Sequence, residues 1–204
     1  MSHVRISGGI LARFLVGIRK CQNILWQYDP GTYLHCQKVA QIAFLLGRLV
    51  GLDSVSNQYI YLGALVHNLG KITIPKTTLH KKTALTSAEL AIVREHPRCG
   101  REIALCIMKN ISDTEKQTVL DAIEYHHERP DGKGYLYGIS GSEIPLAAKI
   151  VVVADALDAM VSYRPYRSRP SGLRQALKEL QENSGSQSDA QMVERLVKFL
   201  AGRY

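Results

Sequence analysis

His35, Val39, Ile42, Leu46 and Leu49 recur at intervals of three and four residues, which places them on one face of a helix. Caps and breakers divide the rest of the chain into further helical segments, and neither an internal repeat nor a convincing β-hairpin is present. The fold class this predicts is all-α. Asp29-Pro30-Gly31 reads as a turn, with Thr32 as N-cap of the helix that carries His35. Ser56 or Asn57 caps a second helix over 58–68, stopped by Gly70. Residues 71–85 read as a loop with an extended start at Ile72-Thr73-Ile74-Pro75. Thr86 or Ser87 caps a helix that runs to His96, Pro97 breaks it, and helix resumes over 98–108. Another begins at Ser112 or Asp113 and ends near His126-His127. Residues 128–142, rich in Gly, Asp and Pro, form one long ordered loop. Pro145 sits in the first turn of a helix reaching Ser162, and two more follow near 171–182 and 188–201.

A chain of 204 residues is long enough for one domain with a small appendage. The division expected is an N-terminal amphipathic helix or linker over 1–28 and a domain over 29–204. The apolar stretch at 6–18 is interrupted by Arg13 and is too short for a transmembrane helix, and no signal-peptide cleavage pattern is clear. Cys21, Cys36, Cys99 and Cys106 form no C-x-x-C pair, which excludes a zinc ribbon and fits reduced thiols in a cytoplasmic protein. The net charge of +8 favours an anionic partner. One Trp, three Phe and the lack of an aromatic-rich basic stripe argue against a dedicated nucleic-acid module.

Five of the seven histidines stand near helix ends or on apolar helix faces: His35, His67, His96, His126 and His127. An imidazole in a core needs a partner for each ring nitrogen, so five together are hard to place as ordinary core residues. Asp155 lies in the apolar helical run Ile150-Val151-Val152-Val153-Ala154-Asp155-Ala156-Leu157. A buried carboxylate there needs an ion pair, a hydrogen bond or a cation. Five His and one Asp suit a dinuclear site for iron, manganese, zinc or nickel. Asp158, one turn further on, either supports that site or faces solvent. His126 and His127 point about 100° apart if mid-helix but can converge at a helix end.

The segment His67-Asn68-Leu69-Gly70-Lys71-Ile72-Thr73-Ile74-Pro75 resembles the HD-x-G-K-I-x-I-P signature of HD-GYP domains. His126-His127-Glu128-Arg129-Pro130-Asp131-Gly132-Lys133-Gly134-Tyr135-Leu136 is similar to that family's H-H-E-x-x-D-G-x-G-Y-P loop. Ile144-Pro145-Leu146, the helix Asp155-Ala156-Leu157-Asp158-Ala159-Met160 and Arg164-Pro165-Tyr166-Arg167 follow in the family's order. The resemblance implies an HD-type helical bundle and a metal-dependent phosphodiesterase acting on cyclic di-GMP. It implies His35, His67 and Asp155 on one divalent ion and His96, His126 and His127 on a second. Lys71 would contact the scissile phosphate, and Tyr135, Arg164 and Arg167 would line the nucleotide site. A diguanylate cyclase or another signalling domain is the protein partner it suggests.

Three positions depart from that pattern. The family's metal-bridging, catalytic aspartate is Asn68 here, and a neutral amide ligates weakly. The missing charge is worth about 4 kcal/mol per cation at 4 Å and an effective dielectric of 20. Leu136 replaces a proline, which removes no ligand. Gly31 stands where some members carry a glutamate for a third metal, so at most two are expected. Asn68 leaves two functions open: a phosphodiesterase of cyclic di-GMP, of reduced activity, or a degenerate module that binds the dinucleotide or a protein. A different phosphohydrolase substrate, such as a nucleotide monophosphate or a cyclic GMP-AMP dinucleotide, is also open, because specificity lives in the site rather than the fold.

Overall fold

The computed structural model describes residues 9–109, 111–162 and 171–202, and its ordered elements are helical throughout these stretches. Helix α1 spans Gly9–Tyr28, α2 Pro30–Leu49 and α3 Ser54–Val66. A 3-10 turn over Leu69–Thr73 and the short α4, Lys76–Leu79, follow. Then come α5 (Ser87–Arg94), α6 (His96–Ile107), α7 (Asp113–Glu124), α8 (Leu146–Val161), α9 (Leu173–Glu182) and α10 (Ala190–Ala201). The all-α expectation holds.

The helix starts correct several expected boundaries. Asp29, not Thr32, caps α2: its carboxylate accepts from the Gly31 and Thr32 amides, and Pro30 occupies the first turn, where a missing N–H costs nothing. Asp53, not Ser56 or Asn57, caps α3, accepting from the Val55 and Ser56 amides. Helix α3 ends at Val66 rather than at Asn68. Of the expected extended start at 72–75, Ile72 and Thr73 belong instead to the 3-10 turn, Ile74 is extended, and α4 begins after Pro75. Thr86 caps α5 in a reciprocal box with Glu89, as expected. The break that follows falls at Glu95, ahead of Pro97, because proline is tolerated in the first turn of α6. Pro145 itself is the N-cap residue of α8.

Burial decides the central elements. Ile150, Val151 and Val153 are weak helix formers by intrinsic propensity, yet α8 is regular because these side chains are fully buried. Helix α2 packs against α3 and α8, α3 against α7, and α6 against α7 and the 69–73 turn. Helix α1 contributes Phe14, Ile18 and Cys21 to the same core. The Tyr28 hydroxyl donates to the Ile74 carbonyl, and the Lys76 ammonium lies 5.0 Å from the centre of the Tyr28 ring. The segment 67–75 is therefore held by both α6 and α1. No helix among the described residues is long and apolar enough to cross a membrane. All four cysteines are free.

Candidate metal centre

Helices α2 and α8 bring the first group together. His35 Nε2 lies 2.8 Å from Asp155 Oδ1, and His35 Nδ1 lies 2.6 Å from Asp158 Oδ2. Asp155 and Asp158 are three residues apart on α8, so both face the same way. Burial opposes charge on Asp155, but its bond to His35 and the surrounding imidazoles more than offset this and hold the carboxyl well below the usual range. Asp158 is 2% exposed and also accepts from the Ser162 hydroxyl at 2.7 Å. This settles the choice left open in the sequence: Asp158 supports His35. Asp158→Asn is expected to weaken metal binding about 10–100-fold, as loss of a carboxylate behind a ligating imidazole does. Titration against a chromophoric chelator would show it. Unchanged affinity would reduce Asp158 to a packing role.

Three further imidazoles share one device. His67 caps the end of α3, His96 opens α6, and His126 follows α7. Each places Nδ1 2.7 Å from the carbonyl three residues earlier: Ala64, Val93 and Ile123. A carbonyl only accepts, so the proton sits on Nδ1 and the Nε2 lone pair is left to face the interior. His96 Nε2 and His126 Nε2 then meet lone pair to lone pair at 3.1 Å. A proton between them is disfavoured, since burial holds both rings well below the ordinary histidine range. Burial likewise lowers His67 to about 3. A divalent cation with an affinity for imidazole fits this donor set.

His127 joins the same group rather than pointing to solvent. Its ring centroid is 4.1 Å from that of His126 and 5.0 Å from that of His96. The two adjacent histidines converge because the helix has already ended. Two sets of atoms that could hold a metal ion result, His35–His67–Asp155 and His96–His126–His127, each with its atoms within 4.8 Å of one another. The His67 and His126 rings, 4.9 Å apart, join the sets.

Asn68 is buried beside His67, 2% exposed. Its amide Nδ2 is 2.6 Å from His67 Nε2, and its Oδ1 is buried without a hydrogen-bond partner. An orphaned acceptor beside an inward-facing imidazole is what a cation would satisfy. Cys36 lies against Asn68, but burial pushes its thiol up to about 12, so it supplies no thiolate. Burial lowers His67, His96 and His127, and the Lys71 charge adds to this in both sets. Tyr135 stacks on His127, ring centroids 4.5 Å apart and 18° from parallel. Arg164 and Arg167, expected to line the nucleotide site, lie outside the described residues. Arg94, which the sequence did not single out, stands over the Tyr135 ring at 5.5 Å. Its position two residues before His96 was the only signal available.

A family model described as an HD domain matches residues 19–192. The chain belongs to the HD domain family. Among curated relatives of this HD domain, a cyclic di-GMP phosphodiesterase of Thermotoga maritima is 34% identical over 187 residues, covering 91% of this chain and 50% of its own. A 3'3'-cGAMP-specific phosphodiesterase of Vibrio cholerae is 32% identical over 149 residues, covering 73% of this chain and 33% of its own. The chain thus spans half or less of these relatives' length. The HD domain of the L. monocytogenes phosphodiesterase PgpH, solved with cyclic-di-AMP, superposes with a TM-score of 0.60 at 19% identity, over 91% of this chain and 97% of that one. That likeness bears out the HD-type helical bundle.

Proposed function

We propose that this HD domain hydrolyses a phosphodiester bond of a cyclic dinucleotide, with cyclic di-GMP as the first substrate to test. The observation that carries this is the pair of imidazole-rich donor sets, in which His67, His96 and His126 turn Nε2 inward by hydrogen bonds from Nδ1 to backbone carbonyls and His35 is held through Nδ1 by Asp158. His35, His67 and Asp155 would hold one divalent ion, and His96, His126 and His127 a second, with the unpartnered carbonyl oxygen of Asn68 available beside His67. Iron, manganese, zinc and nickel all suit such ligands. When bound, the ions draw charge from the phosphodiester and make water a better nucleophile.

The chain's own residues do the rest. Lys71 sets a point charge beside both donor sets and would hold the scissile phosphate there. Asp158 fixes the His35 ring. Tyr135 fixes His127 by stacking and supplies a flat surface beside the reacting centre. Arg164 and Arg167 would add two planar forks for phosphate or guanine. The relatives' names divide between cyclic di-GMP and cyclic GMP-AMP, so the second is the next substrate to test.

Asn68 favours a second function, in which the domain binds the dinucleotide without turnover, because its amide occupies His67 Nε2 and brings no charge. One experiment separates the two. Metal is counted per chain in protein purified without chelator, and cyclic di-GMP hydrolysis is assayed on the same sample with added Mn²⁺ or Fe²⁺. Two metals with turnover is the expected result. Dinucleotide binding without turnover at full metal loading would overturn hydrolysis in favour of the binding module.

A further inference from the structure

A groove of about 520 Å³ opens beside the metal centre, between α5 and the 128–142 loop. Its volume falls in the range of about 300–1,000 Å³ usual for small-molecule sites. One wall is apolar: Leu90, 38% exposed, with Ala91 and Leu136. The inner end is Tyr135, whose ring already stacks on His127. The groove is therefore continuous with the second donor set through a single aromatic ring.

Arg94 supplies the charge. Its guanidinium stands over the Tyr135 ring, in the range of a cation–π contact. It forms no salt bridge among the described residues, while the neighbouring Glu95 is taken by Arg98. An arginine in a cation–π contact can still turn its N–H fork to two oxygens of one phosphate. A cyclic dinucleotide carries two phosphates, and only one can sit at the donor sets. Resting on the function proposed above, we infer that Arg94 binds the phosphate that is not cleaved, and that the apolar wall of Leu90, Ala91 and Leu136 takes the base next to it. Leu136 then contributes to the site itself, where the sequence pattern left its replacement of proline without a role.

Two substrates and one binding measurement test this. For Arg94→Gln in Mn²⁺-loaded protein, KM for cyclic di-GMP is expected to rise about tenfold, the loss of one charge-assisted contact, with kcat within about twofold. Kinetics on bis(p-nitrophenyl) phosphate, which has a single phosphate and no second anion, should not change. Arg94→Lys should recover part of the loss, since it restores the charge and not the fork. In metal-free protein, where no turnover occurs, Arg94→Gln should weaken equilibrium binding of cyclic di-GMP by a similar factor. An equal loss on both substrates would place Arg94 at the cleaved phosphate and overturn the assignment. Equal affinity of parent and variant would overturn it too, while leaving hydrolysis intact. Weakened binding in a protein that never cleaves cyclic di-GMP would uphold Arg94 and overturn only the hydrolytic function.

Discussion

Asn68→Asp is expected to raise metal affinity by about 10–100-fold and to raise phosphodiester turnover with it. The added charge is worth about 4 kcal/mol toward a cation at 4 Å and an effective dielectric of 20. Burying a carboxylate at a position 2% exposed takes back part of that, several kcal/mol for an unpaired ion, which is why the net gain is smaller than the Coulomb figure. The same substitution removes the contact from the Asn68 amide to His67 Nε2, so a ligating lone pair now held by a hydrogen bond is freed. The metal-free and metal-loaded proteins should respond in opposite directions. Without metal, a buried carboxylate with no cation lowers stability by about 3–5 kcal/mol, as an uncompensated buried charge does. With metal, tighter binding raises it by mass action. Thermal melts with and without chelator, beside metal counts and turnover, check each part. A variant that holds no more metal than the parent would show that position 68 does not face the ions.

The elements were legible wherever a local signal acts alone. The Thr86–Glu89 capping box and the helical spacing from His35 to Leu49 are contained within a few residues, and both stand in the fold. Where two cap-forming residues compete over a short span, local pattern chose wrongly. Asp29 and Asp53 each accept from two backbone amides of the following turn, and the hydroxyl and amide residues read as caps lie inside the helices they were meant to start. Gly70 was read as a helix stop because glycine tolerates helix ends. Its actual role is tertiary, and nothing within the 58–70 segment reveals it.

The donor sets were legible because the ligands are uncommon residues at helix ends. What orients them was not. The bonds of His67, His96 and His126 to Ala64, Val93 and Ile123 depend on where each helix ends. Asp158 and Arg94 look like ordinary polar positions of amphipathic helices. They acquire roles only when α2 meets α8 and when the 128–142 loop lays Tyr135 against α5.

Gly70→Ala is expected to be the most damaging Gly→Ala change among the described glycines. A Cβ at position 70 would lie 1.9 Å from the His96 carbonyl oxygen, 2.5 Å from the Gly100 amide nitrogen and 2.8 Å from the His96 carbonyl carbon. All three are backbone atoms of α6, so no side chain can turn aside. The 69–73 turn must instead move off the helix. Overpacking of this kind costs about 3 kcal/mol or more, which for a chain of this size lowers the melting temperature by about 6–12 °C. The functional loss should exceed what stability alone accounts for. Gly70 follows His67 and Asn68 by three and two residues, and it presses on the first turn of α6, which carries His96. Moving the turn separates ligands of one set from a ligand of the other, and a binding constellation tolerates only about 0.5 Å of such displacement. Melts in chelator isolate the packing cost, and metal counts on folded protein at low temperature isolate the geometric one. A folded Gly70→Ala protein with the parent's metal content would mean that the approach of this turn to α6 does not set the distance between the two donor sets.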